Sequence, residues 1–384
     1  MSRLIGRQLQ IWRDNMQRTA ADVCLELRGL SWRGPRARES LKAALSVMLA
    51  VVLARMLRLD DLWWAAFSGY LVMRASFDET FRRGLYRMGG TALGAALGLG
   101  MAWLLADHPY WRIAWIFAFS ALALYFALLS RYGYAWLLLG LTHVMVLAAA
   151  VLVPTALVGF AAMRMADVAV GTLACVMVSA LFAVAAGAHP RTLLQSLRGW
   201  SSLPATRIGS LAPDVRQRLL QHVCEAALAL VCVTAIGYGF RLNTFTQASI
   251  TVFAVMLLPI TDFSMHRRSA VTRKLLHRCL GCLSGGLVGL LLLLLTGHVP
   301  LLWWLALAAG IWVGHYLQGS TLGIGYIGTQ FCLGYLTAFV HDTRLADGYT
   351  AAAGRLAGIL GGLLVLGMVL SLGAVLTAAK RPDD

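Results

Sequence analysis

The sequence predicts an all-α fold, a polytopic membrane helix bundle of about twelve transmembrane helices arranged as two parallel six-helix repeats. Three observations lead to it. Of 384 residues, 59% are hydrophobic and 13% charged, with a mean hydropathy of +0.72, whereas a soluble chain carries about 25% charged residues. Apolar runs alternate with short polar segments along nearly the whole length. One set of residues also recurs at a constant displacement of 191 positions.

The first element is not a span. Residues 1–40 are polar and basic, yet Ile5, Leu9, Trp12, Met16, Val23, Leu27 and Leu30 follow one another at helical steps, with Arg3, Arg7, Arg13 and Arg18 left for the other side. That spacing predicts a cytoplasmic amphipathic helix on the membrane surface; a helix packed on a partner is the alternative. No apolar stretch of a secretion signal stands there.

A crossing needs about 20 apolar residues. Six runs, at 41–58, 62–77, 84–105, 111–129, 132–153 and 162–186, form a first membrane repeat over 41–187. The polar stretch 188–222, with Pro190, Pro204 and Pro213, reads as a cytoplasmic linker. Six more runs, at 223–241, 244–262, 277–297, 299–317, 321–340 and 353–378, form a second repeat over 223–378, and 379–384 is a cytoplasmic tail. The run at 62–77 is the shortest of the first six.

Basic residues set the orientation, because Lys and Arg concentrate on the cytoplasmic side of short loops. With the N-terminus inside, 26 of the 33 fall on that side, including Arg74, Arg82, Arg83 and Arg87 after the second run and Arg267, Arg268, Arg273, Lys274 and Arg278 after the eighth. Arg55, Arg58, Arg112, Arg164, Arg241, Arg344 and Arg355 remain outside. Both termini are therefore expected in the cytoplasm.

The recurrence is specific. Arg87-x-x-Gly90-x-x-x-Gly94-x-x-x-Gly98 returns as Arg278-x-x-Gly281-x-x-x-Gly285-x-x-x-Gly289, and the same step takes Tyr125 to Tyr316, Arg164 to Arg355 and Gly171 to Gly362. An even number of spans per copy makes the copies parallel, with a pseudo-two-fold axis along the membrane normal. Glycines four apart share a helix face and let a neighbouring backbone approach, so both rows read as helix-packing surfaces.

Composition excludes several classes. The net charge of +16 lies in loops between apolar runs and suits anionic lipid, not nucleic acid. Seven cysteines are scattered; Cys279-x-x-Cys282 has no second ligand pair at metal spacing, so neither metal nor cofactor is expected. No nucleotide-binding loop and no zinc-protease or triad motif is present, which argues against an ATP-driven pump or an enzyme. Ile236-Gly237-Tyr238-Gly239 contains a filter-like tripeptide but merely ends a run.

Trp63-Trp64-Ala65, then Arg87-x-x-Gly90-Thr91-x-x-Gly94, Arg131-Tyr132 at the start of a run, and Arg164 with Gly171 before His189-Pro190 resemble the fusaric acid resistance family, which includes aromatic carboxylic acid exporters of bacterial inner membranes. The resemblance spans nearly all of the first repeat and is weak in the second. It implies a multi-pass inner-membrane protein that exports organic, aromatic acids with proton coupling, with a periplasmic adaptor protein as a partner besides the lipid bilayer and the small acid itself. The chain departs from larger exporters because 188–222 is too short for a sizeable soluble domain, and Arg74 and Phe77 stand where the family often has Pro and Gly. A homo-oligomer is compatible with the sequence.

Ionisable groups within a membrane tend to face a bundle interior or cavity. Arg164 and Arg355, with Arg87 and Arg278, are thus the candidates for binding an anion, against arginines that snorkel to the interface. His143, Asp167 and Asp262 are the candidates for proton coupling; a hydrogen-bonded structural histidine and solvated helix ends are the plainer readings. Asp78 and Glu79 are further acids at a span end. Trp63, Trp64, Trp103, Trp111, Trp303 and Trp304 are expected in an interfacial belt, with stacking on an aromatic substrate the sharper alternative. A secondary exporter is the leading expectation; an anion channel and a non-transporting subunit of an envelope assembly are its rivals.

Overall fold

The computed structural model describes residues 2–188, 211–240, 245–263, 267–296, 299–340 and 345–379. Among them the regular structure is entirely helical. In order come α1 (Ser2–Arg28), α2 (Pro35–Met56), α3 (Leu62–Leu71), α4 (Phe77–Leu104), α5 (Pro109–Leu129), α6 (Gly133–Leu152) and α7 (Leu157–Ala185). After the linker follow α8 (Pro213–Phe240), α9 (Phe245–Met256), α10 (Arg267–Thr296), α11 (Pro300–Gln318), α12 (Gly325–Phe339) and α13 (Leu345–Ala379). Each of the twelve apolar runs coincides with one helix, and α1 occupies the amphipathic segment.

Several boundaries shift for local reasons. The run at 62–77 yields a helix of only ten residues, and α4 begins at Phe77, not near 84. Ser76 accepts a hydrogen bond from the Glu79 backbone N–H at 3.2 Å, and Asp78 and Glu79 occupy the first turn. A cap with acidic neighbours starts a helix among polar residues that hydropathy alone assigns to a loop. Pro213 at the start and Asp214 in the first turn likewise begin α8 inside the expected 188–222 linker. Residues 189–210 of that linker, with Pro190 and Pro204, lie outside the described residues, as do 380–384 of the tail and the side chains of Ile5, Leu9 and Trp12.

Among the described residues seven helices are long and apolar enough to cross a membrane: α5, α6, α7 with the turn before it, α8, α10, α11 and α13. The chain is a multi-pass membrane protein. α2 and α4 are long enough but begin with charged turns. α3 and α9, at about 1.5 Å per residue, reach only some 15–18 Å, half of a hydrocarbon core.

The short helices are enclosed. α3 packs against α2 and α7, and α9 packs against α8 and α13. α4 lies along α6, and α10 along α12. Between the two halves the contacts are reciprocal: α2 meets α11 while α8 meets α5, and α3 meets α12 while α9 meets α6. One hydrophobic core runs through both halves.

The glycine rows lie at the α4–α6 and α10–α12 contacts. A methyl group on Gly90 would collide with the Ala135 carbonyl, on Gly94 it would sit 2.5 Å from Leu139 O, and on Gly98 2.8 Å from Val146 Cβ. In the second half, Gly281 would meet Gln330 Cβ at 2.6 Å, Gly285 the Phe331 carbonyl, and Gly289 Tyr335 O at 3.0 Å. The outward faces are apolar, with Leu93 and Leu97 on α4, Leu287 and Leu291 on α10, and Leu364 and Met368 on α13 exposed. Such faces suit lipid, which has no partners for polar groups.

The end of α1 is tied to α11. Arg36 Nη2 donates to Glu26 Oε2 and to Tyr316 O, each at 2.9 Å, and Ser320 Oγ donates to Glu26 Oε1 at 2.6 Å. Burial pushes the Glu26 carboxyl up, but Ser320 and Arg36 outweigh it and hold the group below its ordinary value of 4.5.

Candidate functional site

The first residues of α3 sit at the end of the bundle opposite α1, and there the structure corrects an expectation. Trp63 and Trp64 are not an interfacial belt: each is 5% exposed and faces the protein interior. Their short helix, held between α2 and α7, cannot reach lipid. Trp303 is buried too, stacked on Phe339 at 5.2 Å. Trp103 and Trp111 are exposed, as a belt requires.

The two indoles pack at 3.8 Å between centroids. Arg164 of α7 lies over Trp64 at 3.1 Å, and Arg355 of α13 lies over Trp63 at 4.6 Å. The two candidate arginines, one from each half of the chain, thus converge on one aromatic pair. Arg164 is not a snorkelling residue; it is 3% exposed, and its Nε and Nη1 have no hydrogen-bond partner. The fields of Asp167 and Asp61 attract it and that of Arg87 repels it. Asp167, one helical turn on, is 1% exposed. Arg355 Nη1 donates to Thr337 O at 3.2 Å, and Trp63 Nε1 donates to Asp61 Oδ1 at 3.1 Å. At the rim, Arg55 stands over Trp303 at 4.9 Å.

Chemically this is a cation–aromatic cluster. Ring quadrupoles attract the guanidiniums, and guanidinium N–H groups bind carboxylates in charge-assisted pairs. Indole faces and cations together match a ring carrying a carboxylate.

Arg87 and Arg278 lie elsewhere, in matching roles. Arg87 Nε donates to Ser68 Oγ at 3.1 Å and Nη1 to Tyr134 OH at 2.9 Å. Arg278 Nε and Nη2 donate to Thr251 Oγ1 at 3.1 and 3.0 Å, and Nη1 to Gln330 Oε1 at 2.5 Å. Each arginine ties a short helix, α3 or α9, to the fifth helix of its half, α6 or α12. One turn earlier, Arg83 covers Tyr134 at 3.6 Å and Lys274 covers Tyr326 at 5.0 Å.

The proton-coupling candidates are scattered. His143 is fully buried, accepts a hydrogen bond from Trp115 Nε1 at 2.9 Å through Nε2, and packs tilted against the Phe119 ring at 4.1 Å. Asp262 lies in a short turn after α9. Only Asp167 shares the neighbourhood of the arginine pair. Asp78 is paired to Arg82 at 2.8 Å.

A cavity of about 280 Å³ opens at the α1 end, lined by Arg36, Glu39, Met73, Arg74, His315 and Gln318 among others. Sequence reasoning did not single out His315, Gln318 or Tyr70, because each stands alone in an apolar run. The displacement of 191 could have flagged the first two: it pairs His315 with Leu124 and Gln318 with Ala127, a loss of polarity between otherwise related segments.

Residues 36–210 match the model of the fusaric acid resistance protein family. No curated protein and no solved structure matches the chain. The match begins in the first turn of α2, covers α2–α7 and ends in the linker, so the segment bearing Trp63, Trp64, Arg87 and Arg164 is the matched one. The protein is of the membrane-transporter type, and its residues 36–210 are similar to the fusaric acid resistance protein family.

Proposed function

We propose that this chain is a secondary exporter of organic, aromatic carboxylic acids, and that the Trp63–Trp64 pair with Arg164 and Arg355 binds the acid on its way out. The convergence of the two arginines on one buried indole pair carries the reading. A permanent structural role explains it poorly, since Arg164 keeps unpartnered nitrogens in the interior, where hydrogen bonding would normally satisfy them. The family's own description names resistance to an acid.

In this reading the membrane domain is two parallel copies, 41–187 and 223–378, about a pseudo-two-fold axis. The reciprocal helix contacts and the matched roles of Arg87 and Arg278 support that arrangement. Both termini then face the cytoplasm of an inner membrane, and a periplasmic adaptor protein would meet the end bearing Trp63. Asp167, beside Arg164, is the best-placed proton carrier; His143, bonded to Trp115, is less suited.

The test is transport of radiolabelled benzoate into inside-out membrane vesicles from cells that overproduce the chain. Uptake should follow an imposed proton gradient and disappear when it is collapsed. Uptake that ignores the pH gradient and follows voltage passively would identify an anion channel and end the exporter reading.

A further inference from the structure

The two reciprocal seams between the halves are not chemically equal. Gly171 abuts Ala65 and Ser68 of α3, and Gly362 abuts Ala248 and Thr251 of α9, which puts the two short helices in register. Two residues further along, Tyr70 on α3 corresponds to Phe253 on α9. Tyr70, 3% exposed, donates from its hydroxyl to Gln318 Oε1 at 2.5 Å, and its ring meets His315 edge-on at 6.0 Å. The buried Cys332 thiol sits against the Tyr70 hydroxyl, and Ser40 Oγ lies 3.4 Å from His315 Nδ1. In the other seam a methyl group on Gly140 would meet Ala123 at 2.6 Å and the Phe253 ring at 3.3 Å. Leu124 and Ala127 take the places of His315 and Gln318. One seam therefore carries a hydroxyl, an imidazole, an amide and a thiol, and its counterpart carries Phe, Leu, Ala and Gly.

The polar seam is also the one that ends in the cavity at the α1 end, where Arg36 and Arg74 outnumber Glu39. Its other end reaches Trp63 and Trp64 at the start of the same short helix. A polar solute crossing a bundle needs polar partners along its way, and at the positions matching Tyr70, His315, Gln318 and Cys332 the other seam offers none.

We infer that the chain has a single route, the α2–α3–α11–α12 seam, with the Tyr70–Gln318 hydrogen bond as its closed gate at the α1 end. The cargo class, a carboxylate drawn in by Arg36 and Arg74, rests on the exporter reading above; the gate does not. Phe253 permanently fills the matching position in the other seam.

Native thiols report on the gate. The full-length chain in inside-out vesicles is treated with the anionic reagent 2-sulfonatoethyl methanethiosulfonate, and modification of each cysteine is followed by peptide mass spectrometry. Tyr70→Phe should speed labelling of Cys332 about tenfold, the change in open population expected from losing one hydrogen bond. Cys282 and Cys175, buried on α10 and α7, which are not among the four helices of this seam, should stay at their slow wild-type rates. The reverse substitution, Phe253→Tyr, should leave Cys332 unchanged. Cys332 labelling that does not rise, or a rise shared by Cys282 and Cys175, overturns the gate. Benzoate slowing the labelling supports the carboxylate as occupant. A gated Cys332 that ignores benzoate keeps the route and counts against the exporter reading alone.

Discussion

Replacing Arg164 by methionine separates a residue kept for transport from one kept for stability. The substitution preserves the apolar stem and deletes the charge. In the folded protein the guanidinium gains its contact with the Trp64 ring, worth about 2 kcal/mol for a desolvated pair. Against that stand two buried nitrogens without hydrogen bonds, each costing about 1–3 kcal/mol. Replacing a buried charged group with well-packed apolar volume is commonly neutral or stabilising by about 1–4 kcal/mol. The expected thermal midpoint of detergent-solubilised Arg164→Met is therefore unchanged or higher. Benzoate binding should weaken roughly 10- to 100-fold, the loss of one charge-assisted contact of about 1.5–3 kcal/mol. Thermal unfolding followed by size exclusion and benzoate titration by calorimetry measure the two quantities on one sample. A midpoint that collapses while binding survives would refute the reasoning, because Arg164 would then be a structural residue.

Three further outcomes follow from the packing and electrostatics. Gly285→Val forces a branched side chain into the Phe331 carbonyl and should lower stability by at least about 1–3 kcal/mol, whereas the same change at Gly361, which faces open space, should be tolerated; expression and thermal midpoints compare them. Arg278→Ala strips Thr251 and Gln330 of their shared donor and should destabilise the bundle by about 3 kcal/mol, with Arg278→Lys recovering part of it in the same melts. The Glu26 carboxyl lies below its ordinary value of 4.5 in the folded state. Its ion pair with Arg36 therefore stabilises α1 docking at neutral pH and is lost as pH falls through that depressed value. Hydrogen exchange should show residues 16–28 losing protection in acid before the core, and Glu26→Gln losing it already at pH 7.

Much of this architecture is legible in the sequence because hydropathy and charge act over whole segments. Twelve apolar runs correspond to twelve helices, and the glycine spacing marks the faces where α4 meets α6 and α10 meets α12. The pairing of Arg164 with Arg355 was also readable, through their equal displacement. What hydropathy cannot give is depth. Trp63 and Trp64 read like belt residues because they begin an apolar run near a polar loop, yet the helix they begin is too short to span and is walled in by α2 and α7. Burial there is a property of neighbours distant in sequence. The role of Arg87 escaped for the same reason: Ser68 and Tyr134 approach it only when α3, α4 and α6 have packed. Starts such as Phe77 and Pro213 were missed because capping outweighs polarity locally.

The reciprocal seams also bear on how the protein is made. Trp312 Nε1 donates to the Ala37 carbonyl across 275 residues of chain, so α2 leaves the ribosome long before α11 exists to cover it. During that interval Ser40, buried beside His315 in the finished bundle, has no second half to shield it from lipid or from quality-control proteases. The first half therefore waits, half-assembled, for the second, and the insertion machinery must hold α2 and α3 until synthesis is nearly complete.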